Sequence, residues 1–282
     1  MTPAPETATV GIAQWLPVPG EVQRNEETAR AAVADLAARG ADLVVLPEMW
    51  LTGYDPARLA EHSRAAAEPL DGRLVTRLRT WARDQSVTLC AGTIPELDGS
   101  RVYNTAVLID ADGEVLTAHR KVHLYRPGGE DVAFSAGSSL RVVHTSRLGR
   151  VGVLVCFDDD FFESARTLAL AGADLVILPA AYETGAERWW DLLYPAQALS
   201  NAQWWVMANQ CGNNGSIEFL GGSRVIAPDG EIVASLPRTG SGEVSGEVEY
   251  LVTEVKLAQR LRAARQDAGV LLADRRPDAY KL

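Results

Sequence analysis

One octapeptide occurs twice in this chain. Gly40-Ala41-Asp42-Leu43-Val44-Val45-Leu46-Pro47 returns as Gly172-Ala173-Asp174-Leu175-Val176-Ile177-Leu178-Pro179, with Val45 replaced by Ile177 as the single change. An Ala-rich helical pattern precedes each copy, and the glycine suits the position just past a helix end. An apolar strand stands before each helix, at Val10-Gly11-Ile12-Ala13 and at Val151-Gly152-Val153-Leu154. Another follows each copy, at Val87-Thr88-Leu89-Cys90-Ala91 and at Trp205-Val206-Met207-Ala208, and a hairpin with an Asp-Gly turn comes next, at Asp112-Gly113 and Asp229-Gly230. Helix-to-strand joins of this kind are common, but here the order of all the surrounding elements matches as well. Short continuous apolar strands alternating with helices describe sheets buried on both faces. Two such sheets, each with helices on one side, bury their other faces against one another. The expectation is an α/β fold: a four-layer α-β-β-α sandwich with internal pseudo-twofold duplication, one domain over 1–282. Its halves run over about 8–119 and 150–237. A C-terminal tail, 250–282, carries a basic helical pattern over Leu257–Arg265 and Asp274-Arg275-Arg276-Pro277, and is free to wrap the other half or another subunit.

Composition narrows the function classes. The net charge of −10 argues against a nucleic-acid surface or an anionic-membrane footprint. No apolar run has the length of a bilayer span, and the N-terminal stretch Met1–Glu6 does not read as a signal peptide. Three cysteines in 282 residues make no disulfide framework and fit a reducing, cytoplasmic setting.

Three residues share one kind of position. Cys156 ends the apolar run Val151–Val155, just before Phe157-Asp158-Asp159-Asp160 and a helical pattern starting near Phe161. A thiol on such a turn faces a helix N-terminus, which favours the thiolate. Glu48 follows the strand Leu43–Leu46 and Pro47, at the strand edge where α/β sheets bind ligands. A carboxylate drawn off a buried strand suits proton transfer near neutral pH. Lys121 follows the hairpin strand in His119-Arg120-Lys121, within a stretch holding His123, Leu124 and Tyr125. Nucleophile, proton shuttle and oxyanion partner are what acyl transfer needs. Taken singly, each has a plain structural reading: a small buried hydrophobe, a loop carboxylate, a solvated lysine. The three aspartates oppose a thiolate, so at least some of them are expected to turn away, to cap the helix, or to pair with Lys121 or Arg166; the run stays open between helix cap, pocket rim and a recognition element for a cationic substrate. His119 and His123 have metal-like spacing but no His-Glu-x-x-His helix around them, and no phosphate loop, dinucleotide fingerprint or serine elbow occurs.

Together these stretches resemble the nitrilase superfamily of carbon-nitrogen hydrolases. The marks are Pro47-Glu48 with Leu51-Thr52-Gly53-Tyr54, then Arg120-Lys121-Val122-His123-Leu124-Tyr125, then Cys156-Phe157-Asp158 with Phe161, Glu163 and Arg166. Supporting matches include Tyr103-Asn104, Glu130 with Phe134 and Gly137, Pro228-Asp229-Gly230 and Asp274-Arg275-Arg276-Pro277, in the family's order across nearly the whole chain. The resemblance implies the same α-β-β-α sandwich and a Glu-Lys-Cys triad of Glu48, Lys121 and Cys156. Glu130 matches a second glutamate beside the lysine. The mechanism implied is a thioester on Cys156, with Lys121 and the Phe157 N–H holding the oxyanion and Glu48 moving protons. No cofactor and no metal are implied, and a homodimer or higher homo-oligomer is.

The resemblance is incomplete where substrates are chosen. Asp159 and Phe162 stand where an apolar residue and a proline are usual, and Gln197-Ala198-Leu199-Ser200-Asn201 lacks two of the family's charges. Cys156-Phe157-Asp158 is closer to the amidase and carbamoylase branches than to nitrilases. The expected substrate is a small-molecule amide, cleaved to carboxylate and ammonia. The alternatives are an N-carbamoyl compound, a nitrile, or a non-catalytic scaffold that has kept the fold. Tyr54, Phe157, Tyr182 and Trp50, with Trp189-Trp190, are the candidate aromatic walls of the pocket, although adjacent tryptophans equally serve as core or interface anchors.

Overall fold

The computed structural model describes residues 5–239, 247–267 and 269–280. The first half runs β1 (Ala8–Gln14), α1 (Val22–Ala38), β2 (Leu43–Val45), α2 (Leu59–Ala66), α3 (Arg73–Gln85), then β3 (Thr88–Asp98), β4 (Arg101–Ile109) and β5 (Val115–Arg120). A short helix α4 (Glu130–Ala133) leads to the second half: β6 (Val142–Thr145), β7 (Gly149–Val153), α5 (Phe162–Leu170), β8 (Leu175–Ala180), α6 (Tyr194–Asn201), β9 (Trp204–Asn209). A small ribbon, β10 (Cys211–Asn213) with β11 (Glu218–Leu220), precedes the hairpin β12 (Arg224–Ile226) and β13 (Ile232–Ser235). The tail supplies β14 (Glu249–Val255), α7 (Leu257–Asp267) and α8 (Gly269–Ala273).

The strands form two six-stranded sheets, ordered β14-β1-β2-β3-β4-β5 and β13-β12-β9-β8-β7-β6. Read from the hairpin inward, the two orders correspond strand for strand. The edge strand alone differs in origin, β14 coming from the tail and β6 from the link between halves. The repeated octapeptide explains the correspondence bond by bond. Gly40 and Gly172 both sit at φ near +87° (86° and 87°), the left-handed turn that ends α1 and α5 and that a Cβ would strain. Asp42 exchanges main-chain contact with Thr9 and accepts the Thr9 N–H at 2.8 Å on its side chain; Asp174 does the same with Arg150, at 3.3 Å. Both aspartates therefore pin the new strand to its parallel neighbour.

Side-chain alternation then separates the layers. Val10, Ile12, Leu43 and Val45 face the second sheet and join one core with Val153, Ile177 and Val206. Val44, Leu46 and Leu89 point the other way, into a second core against Val33 and Leu36 of α1 and Leu74 and Leu78 of α3. Each such fully buried aliphatic contributes about 1.5–3 kcal/mol. These layers make the α-β-β-α sandwich expected from the duplication.

The tail ties the halves together. β14 runs antiparallel to β1 along its whole length, while α7 lies on the second half. Its basic residues are paired: Arg265 with Asp174 at 2.6 Å, and Arg260 with both Asp229 and Glu231. The last residues of the tail, 281–282, and Met1–Ala4 lie outside the described residues.

Candidate active site

The two octapeptide strands end side by side at the seam between the sheets. Leaving β2, the Glu48 N–H donates to the Ala180 carbonyl at 3.3 Å, and Gln210, just past the end of β9, bridges back, its Nε2 donating to the Glu48 carbonyl at 2.7 Å. Ala180 is the residue that follows Pro179 in the second copy, so one of two equivalent strand ends carries the carboxylate. Met49 follows with φ +50° and donates its N–H to Thr93 Oγ1 at 2.8 Å.

Glu48, Lys121 and Glu130 are fully buried and form one chain of contacts. Lys121 Nζ donates to Glu48 Oε1 at 2.9 Å and to Glu130 Oε1 at 2.7 Å. Asn104, in β4, donates to the same Glu48 oxygen at 2.8 Å, and the Tyr125 N–H donates to Glu130 Oε2 at 2.9 Å. Glu48 Oε2 is buried with no hydrogen-bond partner among the described residues. Burial works against the Lys121 charge, but Glu130 and Glu48 outweigh it and hold the ammonium well above its usual pKa. Burial pushes Glu130 up to about 7, against the pull of Lys121.

Cys156 opens the turn Cys156–Asp160 beyond β7, at φ +46°, a strained setting for a non-glycine residue that projects its side chain from the sheet end. It is 8% exposed and lines a cavity of about 430 Å³. Burial first, and the Glu48 charge second, raise the thiol pKa well above normal; Lys121 only partly opposes them. The thiolate expected from the helix N-terminus is thus not the resting form. The neutral thiol lies close enough to Glu48 to feel its charge, and Glu48 keeps one oxygen without a hydrogen-bond partner among the described residues.

The aspartate run divides into three fates, none of them a pairing with Lys121 or Arg166. Asp158 is fully buried and takes the Val122, His123 and Val155 N–H groups at 2.8–3.1 Å. The imidazole nitrogens of His119 and His123 lie 2.8 and 3.0 Å from its oxygens, which explains the histidine spacing without a metal. Burial alone would raise its pKa; these contacts bring it well below the usual carboxylate range. This clamp fixes the segment carrying Lys121 to the turn carrying Cys156. Asp159 is buried with neither carboxyl oxygen partnered among the described residues, and burial raises its pKa well above normal. Asp160 reaches the cavity wall and accepts the hydroxyls of Tyr182 and Tyr194, the latter at 3.2 Å.

Of the expected pocket residues, Tyr54, Phe157 and Tyr182 line the cavity, as do Cys156 and Glu130. The Tyr54 hydroxyl donates to the Gly128 carbonyl at 3.3 Å and lies 3.5 Å from Glu130 Oε1. Trp50 does not line it. Its ring is wholly buried behind the first sheet, with Nε1 donating to the Ala91 carbonyl at 2.5 Å and Trp81 beside it, because the tight turn after Glu48 carries the chain into the helix-side core. Trp189 and Trp190 part company: Trp189 is 54% exposed and borders the cavity, while Trp190 is fully buried against Tyr182 and Tyr194. Asn104, Tyr125 and Glu183 were not among the expected site residues, whereas Asp160 belongs to the run left open between helix cap, pocket rim and recognition element, and it lines the cavity. A polar Asn104 inside a buried strand was a usable signal. Glu183 lies in a loop with no local signature.

Comparison with known proteins places this geometry. The sequence profile described as carbon-nitrogen hydrolase matches residues 6–266. A nitrilase of Pyrococcus abyssi is 33% identical over 96% of this chain and 98% of its own. The chloroplastic omega-amidase of Arabidopsis thaliana is 30% identical over 99% of this chain and 76% of its own. Among solved structures, a mutant of the amidase from Nesterenkonia sp. AN1 in complex with butyramide is 30% identical, with TM-score 0.79 over 98% of both chains. Another mutant of that amidase carries the acetamide moiety of fluoroacetamide covalently added at its active-site cysteine.

Proposed function

Because the chain belongs to the carbon-nitrogen hydrolase family and is an amidase-type enzyme, we propose that Cys156, Glu48 and Lys121 hydrolyse a small-molecule amide to carboxylate and ammonia through a thioester. The observation that carries this reading is the unpartnered Glu48 Oε2, on a side chain close enough for its charge to raise the Cys156 pKa, while Glu48 Oε1 is held by Lys121 and Asn104. A carboxylate so placed takes the Cys156 proton as Sγ attacks the amide carbon. The oxygen of the tetrahedral adduct is stabilised by the Lys121 ammonium and the Phe157 N–H. The C–N bond breaks as Glu48 returns the proton to nitrogen, and ammonia leaves. Water then adds to the thioester, Glu48 takes its proton, the C–S bond breaks, and the proton passes back to the thiol. Glu130 is a positioning residue that holds Lys121 from the other side. The test is ammonia release across a panel of aliphatic and aromatic amides, N-carbamoyl amines and nitriles. Amide turnover that is lost in Cys156→Ala supports the reading; nitrile turnover with every amide inert overturns it.

Assembly as a homodimer belongs to the same proposal. Phe162, Leu170 and Leu199, exposed on α5 and α6, offer apolar surface for it, and sedimentation velocity of the purified chain checks it.

A further inference from the structure

The acids on the cavity wall have no basic counterpart among the described lining residues. Among the described residues lining the cavity, the ionisable groups besides Cys156 and tyrosines are Glu130, Asp160 and Glu183, and there is no Lys, Arg or His. Lys121, buried beside Glu130, is already held between two carboxylates. Glu130 belongs to that buried chain of contacts, but Asp160 and Glu183 do not. Neither forms an ion pair with a basic residue among the described residues; their contacts are tyrosine hydroxyls, Tyr125 to Glu183 at 2.9 Å, and Tyr182 and Tyr194 to Asp160. The remaining wall is aromatic: Tyr125, Phe157, Tyr182 and Trp189.

Three classes of amide fare differently in such a cavity. A carboxylate-bearing amide would be buried against like charge with no counter-ion, which costs several-fold to many-fold in binding. A wholly apolar amide would strip water from Asp160 and Glu183 and return nothing. An ammonium would restore the lost solvation with charge-assisted hydrogen bonds and find ring systems suited to a cation.

Resting on the amidase reading above, we infer that the cavity selects amides bearing a protonated amine at the end distant from the scissile group, received by Glu183 and Asp160. Trp189 and Glu183 lie on the outer part of the wall, half-buried or exposed, whereas Cys156 and Glu130 are buried at its base. The substrate therefore enters amide first, with its cationic end toward the mouth. The net charge of −10 on the whole chain favours approach of such a molecule.

The test compares pentanamide, its terminal-amino analogue and glutaric acid monoamide, which match in length and differ in charge. The expected result is a kcat/KM for the amino analogue at least about tenfold above either other amide, from the strength of a hydrogen bond to a charged group. Glu183→Gln should reduce the ratio of amino analogue to pentanamide several-fold, mainly through KM, and adding Asp160→Asn should bring it near one. Equal rates, or preference for the monoamide, overturn the inference and leave the amidase reading standing. If no amide turns over, the amidase reading falls, and calorimetric binding of the same three compounds to Cys156→Ala decides the charge preference: no advantage for the amino analogue overturns it.

Discussion

At the scale of single residues, the proposed mechanism separates the tasks that a lone thiol cannot combine. Cys156 is buried and held protonated, so its reactivity depends on a neighbour rather than on a low pKa of its own. Glu48→Gln keeps the shape and the contact with Asn104 but removes the base. It is expected to lower kcat by about 10²- to 10⁴-fold, the usual weight of general base catalysis, with little change in Tm. Steady-state ammonia release and thermal melting check this. Glu130 gives the site a pH signature. Its folded pKa, up to about 7, lies above the unfolded value, so between about 4.3 and 7 the folded state retains a proton that the unfolded chain loses. Glu130 therefore contributes stability at low pH that is lost as pH rises through 7. Over the same range, ionised Glu130 secures Lys121 ever more strongly. The expectation is a kcat/KM that rises with pH through about 7, with that limb missing in Glu130→Gln. A limb unchanged by the substitution would contradict it.

At the scale of elements, precision comes from tight turns at strand ends. Gly92 in β3 sits at φ +56°, and a Cβ there would meet the Pro47 carbonyl oxygen and the Trp50 ring well inside contact distance. Gly92→Ala must displace the segment that carries Glu48. It is expected to cost about 2 kcal/mol or more in urea melts and to lower kcat of the folded fraction at least tenfold. Sequence reading succeeded where position follows from periodicity and failed where it follows from such turns. The octapeptide repeat announced both sheets because its glycine and aspartate do the same local work twice. Glu48, Lys121 and Cys156 stood out as candidates because each lies within three residues of a strand end. Trp50 was misplaced because a single left-handed residue, Met49, reverses the chain between Glu48 and Trp50. Glu183 was missed because a loop carboxylate gains meaning only when Tyr125, fifty-eight residues earlier in sequence, arrives beside it. The aspartate run offered several roles that local sequence could not divide among its members, and burial assigns the three of them three different environments.

At the scale of the whole molecule, the duplicated halves are joined by a tail that belongs to both. β14 completes the first sheet, and α7 binds Asp174, Asp229 and Glu231 of the second half. Ending the chain after residue 247 would expose the edge of β1 and leave those acids unpaired. The truncated chain is expected to aggregate or to melt well below the intact one, as seen by size-exclusion chromatography and calorimetry. A soluble truncation with native Tm would contradict this role for the tail. The pseudo-twofold axis places the proposed chemistry at the seam, yet only the first copy carries a glutamate after its proline. One asymmetric site thus arises from two nearly equivalent strand ends.

The central claim is that Cys156 carries the acyl group. Intact-mass spectrometry of the unsubstituted chain, acid-quenched during turnover of a hydrolysable amide and followed by peptide mapping, tests it most directly. The predicted result is an acyl adduct on Cys156, absent from Cys90 and Cys211 and abolished in Cys156→Ala. An adduct on either other cysteine, or turnover that survives Cys156→Ala, would contradict it.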